Sequence, residues 1–125
     1  MRGRRVEAIR YAGMLHDVGK LGVPTTVLQK NGALTEDELA AVQLHPMRGL
    51  AIVREIGFLD EALAGIMHHH ERMDGSGYPM GLAGAEIPEC ARVIAVTDAF
   101  PGCPWKAAGS RRRSAAQARS LTRWC

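Results

Sequence analysis

Three stretches of this chain carry an apolar stripe at helical spacing, and each stripe ends in a residue able to bind a metal ion. In the first, Ile9, Ala12 and Gly13 lead to His16; in the second, Leu63, Ile66 and Met67 lead to His70; in the third, Ala91, Ile94 and Ala95 lead to Asp98. A single histidine on an apolar face is ordinarily a hydrogen-bonded core residue. Three such endings are another matter, because two buried imidazoles and a carboxylate all need partners, and one metal site satisfies them together. No stretch alternates as a strand does and no internal repeat is present, so the expected fold class is all-α.

The helix limits follow from local signals. The first helix is expected over 6–16 and is broken by Gly19 and the segment 22–24. Thr35-Glu36-Asp37-Glu38 forms a capping box, so a helix begins near Thr35 and runs to about His45. Pro46 disfavours helical geometry at His45 and suits the first turn of another helix, which Gly57 ends. Asp60 is placed to cap the next helix, and Pro88 to start the last.

The five histidines lie in three places: His16-Asp17-Val18-Gly19-Lys20, His45-Pro46, and the segment from His68 to Pro79. That clustering points to one metal site. His16 and Asp17 sit where a helix ends, so both side chains can reach one centre, although an exposed Asp at a helix end fits equally well. Taken alone, His45 fits a surface or core histidine better than a ligand. Consecutive helical residues point about 100° apart, so His68, His69 and His70 cannot all face one centre. His70 shares the apolar stripe, His69 is its neighbour and His68 is the outsider.

A mixed imidazole and carboxylate set without thiolate argues against a structural zinc site and suits Fe, Mn or a similar ion, in one or two copies. Lys20 is either a solvated loop lysine or a point charge for a phosphate oxygen. The turn from Asp74 to Pro79 is either purely structural or the rim of a substrate pocket with Tyr78 on it.

A chain of 125 residues makes one domain with a moderate core. The net charge of +3 is unevenly spread: residues 1–100 hold ten Lys/Arg and thirteen Asp/Glu, whereas 101–125 hold six Lys/Arg and no acid. No apolar run approaches the roughly 18 residues of a membrane span, and the basic start is no signal peptide. The three cysteines, Cys90, Cys103 and Cys125, have no metal-ligand spacing and an odd count, which fits free thiols in a reducing, cytoplasmic setting.

His16-Asp17-Val18-Gly19-Lys20 matches the HDxGK motif of the HD superfamily. With His45-Pro46, His69-His70-Glu71 and Gly77-Tyr78-Pro79 it resembles the HD-GYP domain of bacterial signalling proteins, from about Arg10 to Phe100. The resemblance implies an HD-superfamily helical bundle, present in part, acting as a metal-dependent phosphodiesterase that hydrolyses cyclic di-GMP to pGpG and often on to GMP. By matching position it implies His16, Asp17, His45, His69, His70 and Asp98 as ligands of two or three divalent ions, commonly iron or manganese, with Asp17 bridging. Lys20 then contacts the scissile phosphate, and Gly77 and Tyr78 lie on the substrate side. Diguanylate cyclase or receiver-type domains are the implied partners, with self-association open and no polymeric nucleic acid expected.

Two departures qualify the resemblance. Family members have earlier helices, one of which supplies a further ligand. No His or Asp precedes His16 here, and Glu7 is the only acid in that stretch, so one metal position is expected to be incomplete. This also raises two alternatives to an active cyclic di-GMP enzyme: a catalytically impaired signalling module, and another HD-type nucleotide phosphohydrolase, the latter disfavoured by Gly77-Tyr78-Pro79. At the other end, Pro101-Gly102-Cys103-Pro104-Trp105 stands where a basic nucleotide-contacting stretch is usual. Residues 101–125 hold both tryptophans, and Leu121 is their one Leu, Ile, Val or Met. That composition buries no core helix. It fits an out-of-frame translation abutting a truncated domain better than a nucleic-acid-binding tail built on Arg111-Arg112-Arg113. Resequencing the locus checks this: a frameshift is expected, and an intact frame with related proteins sharing the tail contradicts it.

Overall fold

The computed structural model describes residues 2–57 and 59–99. The expectations for 101–125 lie outside the described residues. Among the described residues six helices follow in order: α1 (Arg2–Leu15), α2 (Thr25–Leu28), α3 (Glu36–Gln43), α4 (His45–Arg54), α5 (Asp60–His68) and α6 (Glu89–Ala99), with 3-10 turns at Val18–Gly22 and Gly84–Glu86. Among the described residues the only β pairing is an isolated bridge between Asp74 and Ala83. The all-α expectation therefore stands.

Several helix limits follow from named residues. Thr35 caps α3 through the expected capping box: its hydroxyl accepts from the Glu38 N–H at 3.2 Å, while the Glu38 carboxylate accepts from the Thr35 N–H at 2.8 Å. Gly57 takes φ +77° just beyond α4, in the left-handed region that stops a helix. Two expectations need correction. Pro46 lies in the first turn of α4 as expected, but His45 before it is already helical, because a proline there removes an N–H that has no intrahelical acceptor anyway. Asp60 is the first residue of α5 and not its cap; Leu59 precedes it and makes no side-chain cap bond. The Asp60 carboxylate still favours the positive end of the helix dipole.

Helices α1, α5 and α6 pack around a core of Ala12, Leu59, Ala62, Ile66 and Ile94, joined by Val53 from α4. The α5 stripe is rotated by one residue from the expected one: Ala62, Gly65, Ile66 and His69 are buried, while Leu63, Met67 and His70 are half-buried. Gly65 is the reason. A Cβ there would stand 2.5 Å from Cys90 Sγ and 2.9 Å from both Ala12 Cβ and Ile94 Cδ1, so its bare Cα lets three helices meet. An ion pair between Arg5 and Glu89 links α1 to α6 on the surface.

The turn Val18–Gly22 lies against α4 even more tightly. A Cβ on Gly19 would come within 1.8 Å of the His45 carbonyl oxygen and 2.6 Å of the Gly49 nitrogen. Both obstacles are backbone and cannot rotate away. Gly19 thus sets the distance between the His16-Asp17 pair and His45. Gly19→Ala is expected to destabilise the fold by about 2 kcal/mol or more, seen as a lowered melting temperature. Gly32→Ala, with open space around it, serves as the control that leaves melting unchanged.

Candidate metal centre

Helix ends build this site. The last carbonyls of a helix have no intrahelical partner. In three helices one of them accepts from a histidine three residues on. His16 Nδ1 donates to the Gly13 carbonyl at 2.7 Å beyond α1, His45 Nδ1 to Val42 at 2.7 Å beyond α3, and His69 Nδ1 to Ile66 at 2.8 Å beyond α5. With the proton held on Nδ1, each ring presents its Nε2 lone pair as the ligand atom.

Those nitrogens converge. Asp17, His45, His69 and His70 each offer a ligand atom within 4.8 Å of the others. His45 Nε2 and His69 Nε2 are 3.3 Å apart, close enough for both lone pairs to meet one ion at ordinary metal–nitrogen distances of about 2.1 Å. Asp17 faces two ways: its Oδ1 lies 3.6 Å from His45 Nε2, and its Oδ2 lies 3.5 Å from His16 Nε2. His16 Nε2 is in turn 3.6 Å from Asp98 Oδ1. Asp17 thus lies between His16, which Asp98 approaches in turn, and the group of His45, His69 and His70.

The electrostatics match. Burial pushes His45, His69 and His70 toward the neutral form, His70 to about 4. Crowding among the imidazoles adds to this at His69 and His70. Burial also works against a charged His16, but Asp98 and Asp17 outweigh it and raise its pKa. For Asp17 burial alone would favour the acid; Lys20 and then His16 overcome it and hold the carboxylate below its ordinary range. The buried Nε2 of His70 has no hydrogen-bond partner. Neutral imidazoles, an ionised Asp17 and an unsatisfied buried nitrogen are the donor set a divalent cation fits.

The other expected residues fall around this cluster. Lys20 Nζ is 3.0 Å from Asp17 Oδ1 and partly exposed, so it stands at the mouth of the cluster. His68 is excluded, as expected; its Nδ1 lies 3.5 Å from Glu71 Oε1. Tyr78 stacks on the His70 ring at 4.9 Å and 15° between planes. Gly77 has a packing reason of its own: a Cβ there would meet the His70 carbonyl oxygen at 2.3 Å and the Arg72 nitrogen at 2.5 Å. Beside His69 and His70 a cleft of about 410 Å³ runs between the 71–74 backbone and α6, reaching Asp98. Glu71 entered the sequence reading only as part of the His69-His70-Glu71 motif and without a role, yet its side chain is wholly buried.

The HD domain family model matches residues 1–120. The chain is 44% identical over 97 residues to the cyclic di-GMP phosphodiesterase response regulator RpfG of Xanthomonas campestris pv. campestris, a match covering 76% of the chain and 26% of that protein. It is 39% identical over 113 residues to the cyclic di-GMP phosphodiesterase PA4108 of Pseudomonas aeruginosa, covering 83% and 27%. To the 3'3'-cGAMP-specific phosphodiesterase 1 of Vibrio cholerae it is 38% identical over 94 residues, covering 75% and 22%. The chain thus spans about a quarter of the length of these curated relatives.

The three depressed imidazoles give a pH prediction for protein stripped of metal. A buried neutral histidine stabilises the fold above its unfolded pKa of about 6.5 and loses that contribution as pH falls below it. His16, with its raised pKa, acts oppositely but is one against three. In chelator, the melting temperature is expected to drop between pH 7.5 and pH 5.5; a flat or rising profile contradicts the burial assigned here.

Proposed function

The chain belongs to the HD domain family, and on that premise we propose that it forms the metal-binding part of a phosphodiesterase acting on a cyclic dinucleotide. The substrate favoured is cyclic di-GMP, opened to pGpG and carried on to GMP. The observation that carries the reading is that Asp17 faces His16 through one oxygen and His45 through the other, with Asp98 beside His16 and with His69 and His70 gathered beside His45. That arrangement suits a carboxylate bridging two divalent ions, iron or manganese, with a third ion allowed by the resemblance.

Bound there, such ions supply Lewis acidity toward a phosphoryl oxygen and activate water near neutral pH. The chain's own residues do the rest. His16, His45 and His69, locked by their Nδ1–H bonds, keep their orientation and cost no reorganisation during the reaction. Lys20 holds a positive charge beside Asp17, where it can meet a phosphate oxygen as a point charge. Tyr78, stacked on the His70 ring, is proposed with Gly77 to set where a nucleotide rests. The described residues contain no helix long and apolar enough to cross a membrane, and we place the activity in the cytoplasm. A receiver-type domain is the proposed covalent partner, since one relative is by name a response regulator; diguanylate cyclases and a second copy of the chain are the other candidates.

A second substrate deserves the same assay. Three relatives are named for 3'3'-cGAMP, and the bordering residues described above do not select between guanine and adenine. Protein loaded anaerobically with Mn(II) or Fe(II) is expected to convert cyclic di-GMP to pGpG, followed by chromatography, with 3'3'-cGAMP run in parallel. Asp17→Ala and His69→Ala should each bring turnover to background. Full activity in both variants would refute the ligand assignment, and no turnover of either substrate by fully loaded protein would refute the function.

A further inference from the structure

The segment 72–83 that carries Gly77 and Tyr78 has little to hold it. Met73 and Met80 are exposed, and Asp74 spends its carboxylate locally, accepting from the Ser76 N–H at 3.0 Å and the Ser76 hydroxyl at 2.6 Å. The Asp74–Ala83 bridge closes its base, where the Gly84 N–H also donates to the Met73 carbonyl at 3.1 Å. The outgoing half of the segment is fastened differently. Glu71 Oε1 accepts from the Met80 N–H at 2.7 Å, and Oε2 accepts from the Leu82 N–H at 2.9 Å. One buried carboxylate, adjacent in sequence to the ligand His70, thus grips the chain on the far side of Tyr78.

We propose that Glu71 is a positioning residue that fixes the Gly77-Tyr78 rim against the His70 ring by holding two backbone amides, and so sets how the substrate meets the metal centre. The substrate part rests on the function proposed above. Three contacts support the role. The Tyr78 N–H donates to the His70 carbonyl at 3.3 Å. Gly77 lies on the 70–72 backbone with no room for a Cβ. Tyr78 stacks on His70. All three require the outgoing chain to lie where Glu71 holds it.

The chemistry of the clamp predicts a sharp response to an isosteric change. A carboxylate offers an acceptor to each amide, whereas the Gln side chain offers one oxygen and one NH₂. In Glu71→Gln, one backbone N–H must therefore face another donor, and the charge that strengthened both bonds is gone. Glu71 is not among the ligand atoms gathered at Asp17, so metal binding survives.

The test uses the full chain, wild type and Glu71→Gln, with four readouts: metal content, amide exchange at Met80 and Leu82, and turnover of cyclic di-GMP and of bis(p-nitrophenyl) phosphate, a small diester with no second nucleotide to seat. Metal content is expected to hold, and exchange at both amides to speed up by roughly tenfold or more. The loss on cyclic di-GMP is expected chiefly in KM and to exceed the loss on the small diester. Gly77→Ala disturbs the same rim from the other side and should raise KM for cyclic di-GMP with metal retained, which keeps the test decisive should Glu71→Gln fail to fold. Unchanged exchange at Met80 and Leu82 in folded Glu71→Gln overturns the proposal, as does an equal loss on both substrates with loss of metal, or an unchanged KM in Gly77→Ala. If wild type turns over neither substrate, the function is wrong, and the exchange rates still decide the clamp.

Discussion

The structure depends on a bond that each of three histidines makes to the carbonyl three residues before it. Helix ends leave carbonyls unsatisfied, and α1, α3 and α5 each give one to an imidazole Nδ1–H. A single bond thus does two jobs. It finishes the helix, and it fixes the tautomer and the aim of a ring whose other nitrogen points into the cluster. Without it the rings would be buried polar groups of undefined direction, costly to the fold and of no use to a metal.

Glycine makes the convergence close enough. Gly19 brings the His16-Asp17 turn onto α4 at His45, and Gly65 lets α1, α5 and α6 meet behind His69. Gly77 then seats the rim on the backbone of the ligand pair. In each case a methyl group would strike an atom of a neighbouring element. The site is consequently preorganised by packing and not by long flexible side chains. The depressed basicity of His45, His69 and His70 follows from that burial.

Much of this was legible in the residues. The stripes ending in His16 and Asp98 lie on buried faces, the capping box at Thr35 is present, and the separation of His68 from His69 and His70 agrees with the 100° step of a helix. What periodicity missed were contacts between segments. The α5 stripe is turned by one residue because Gly65, passed over by the apolar pattern, is where Cys90, Ala12 and Ile94 close on the helix. His45 was expected outside helical geometry because Pro46 follows it, yet it opens α4, since the first turn of a helix tolerates a proline. Glu71 carries no periodic signal, since its partners are backbone amides nine and eleven residues away. The expectation of a missing ligand before His16 rests on the resemblance alone, and the geometry around Asp17 is what gives the remaining six their coherence.

The claim on which the rest stands is that Asp17 joins two ion sites. The most direct measurement is the number of ions bound per chain, by elemental analysis after anaerobic reconstitution with Fe(II) or Mn(II), in wild type and in Asp17→Asn. The account predicts at least two ions in the wild type and fewer when the carboxylate is lost. A wild type that binds none, or a variant that binds as many as the wild type, contradicts it.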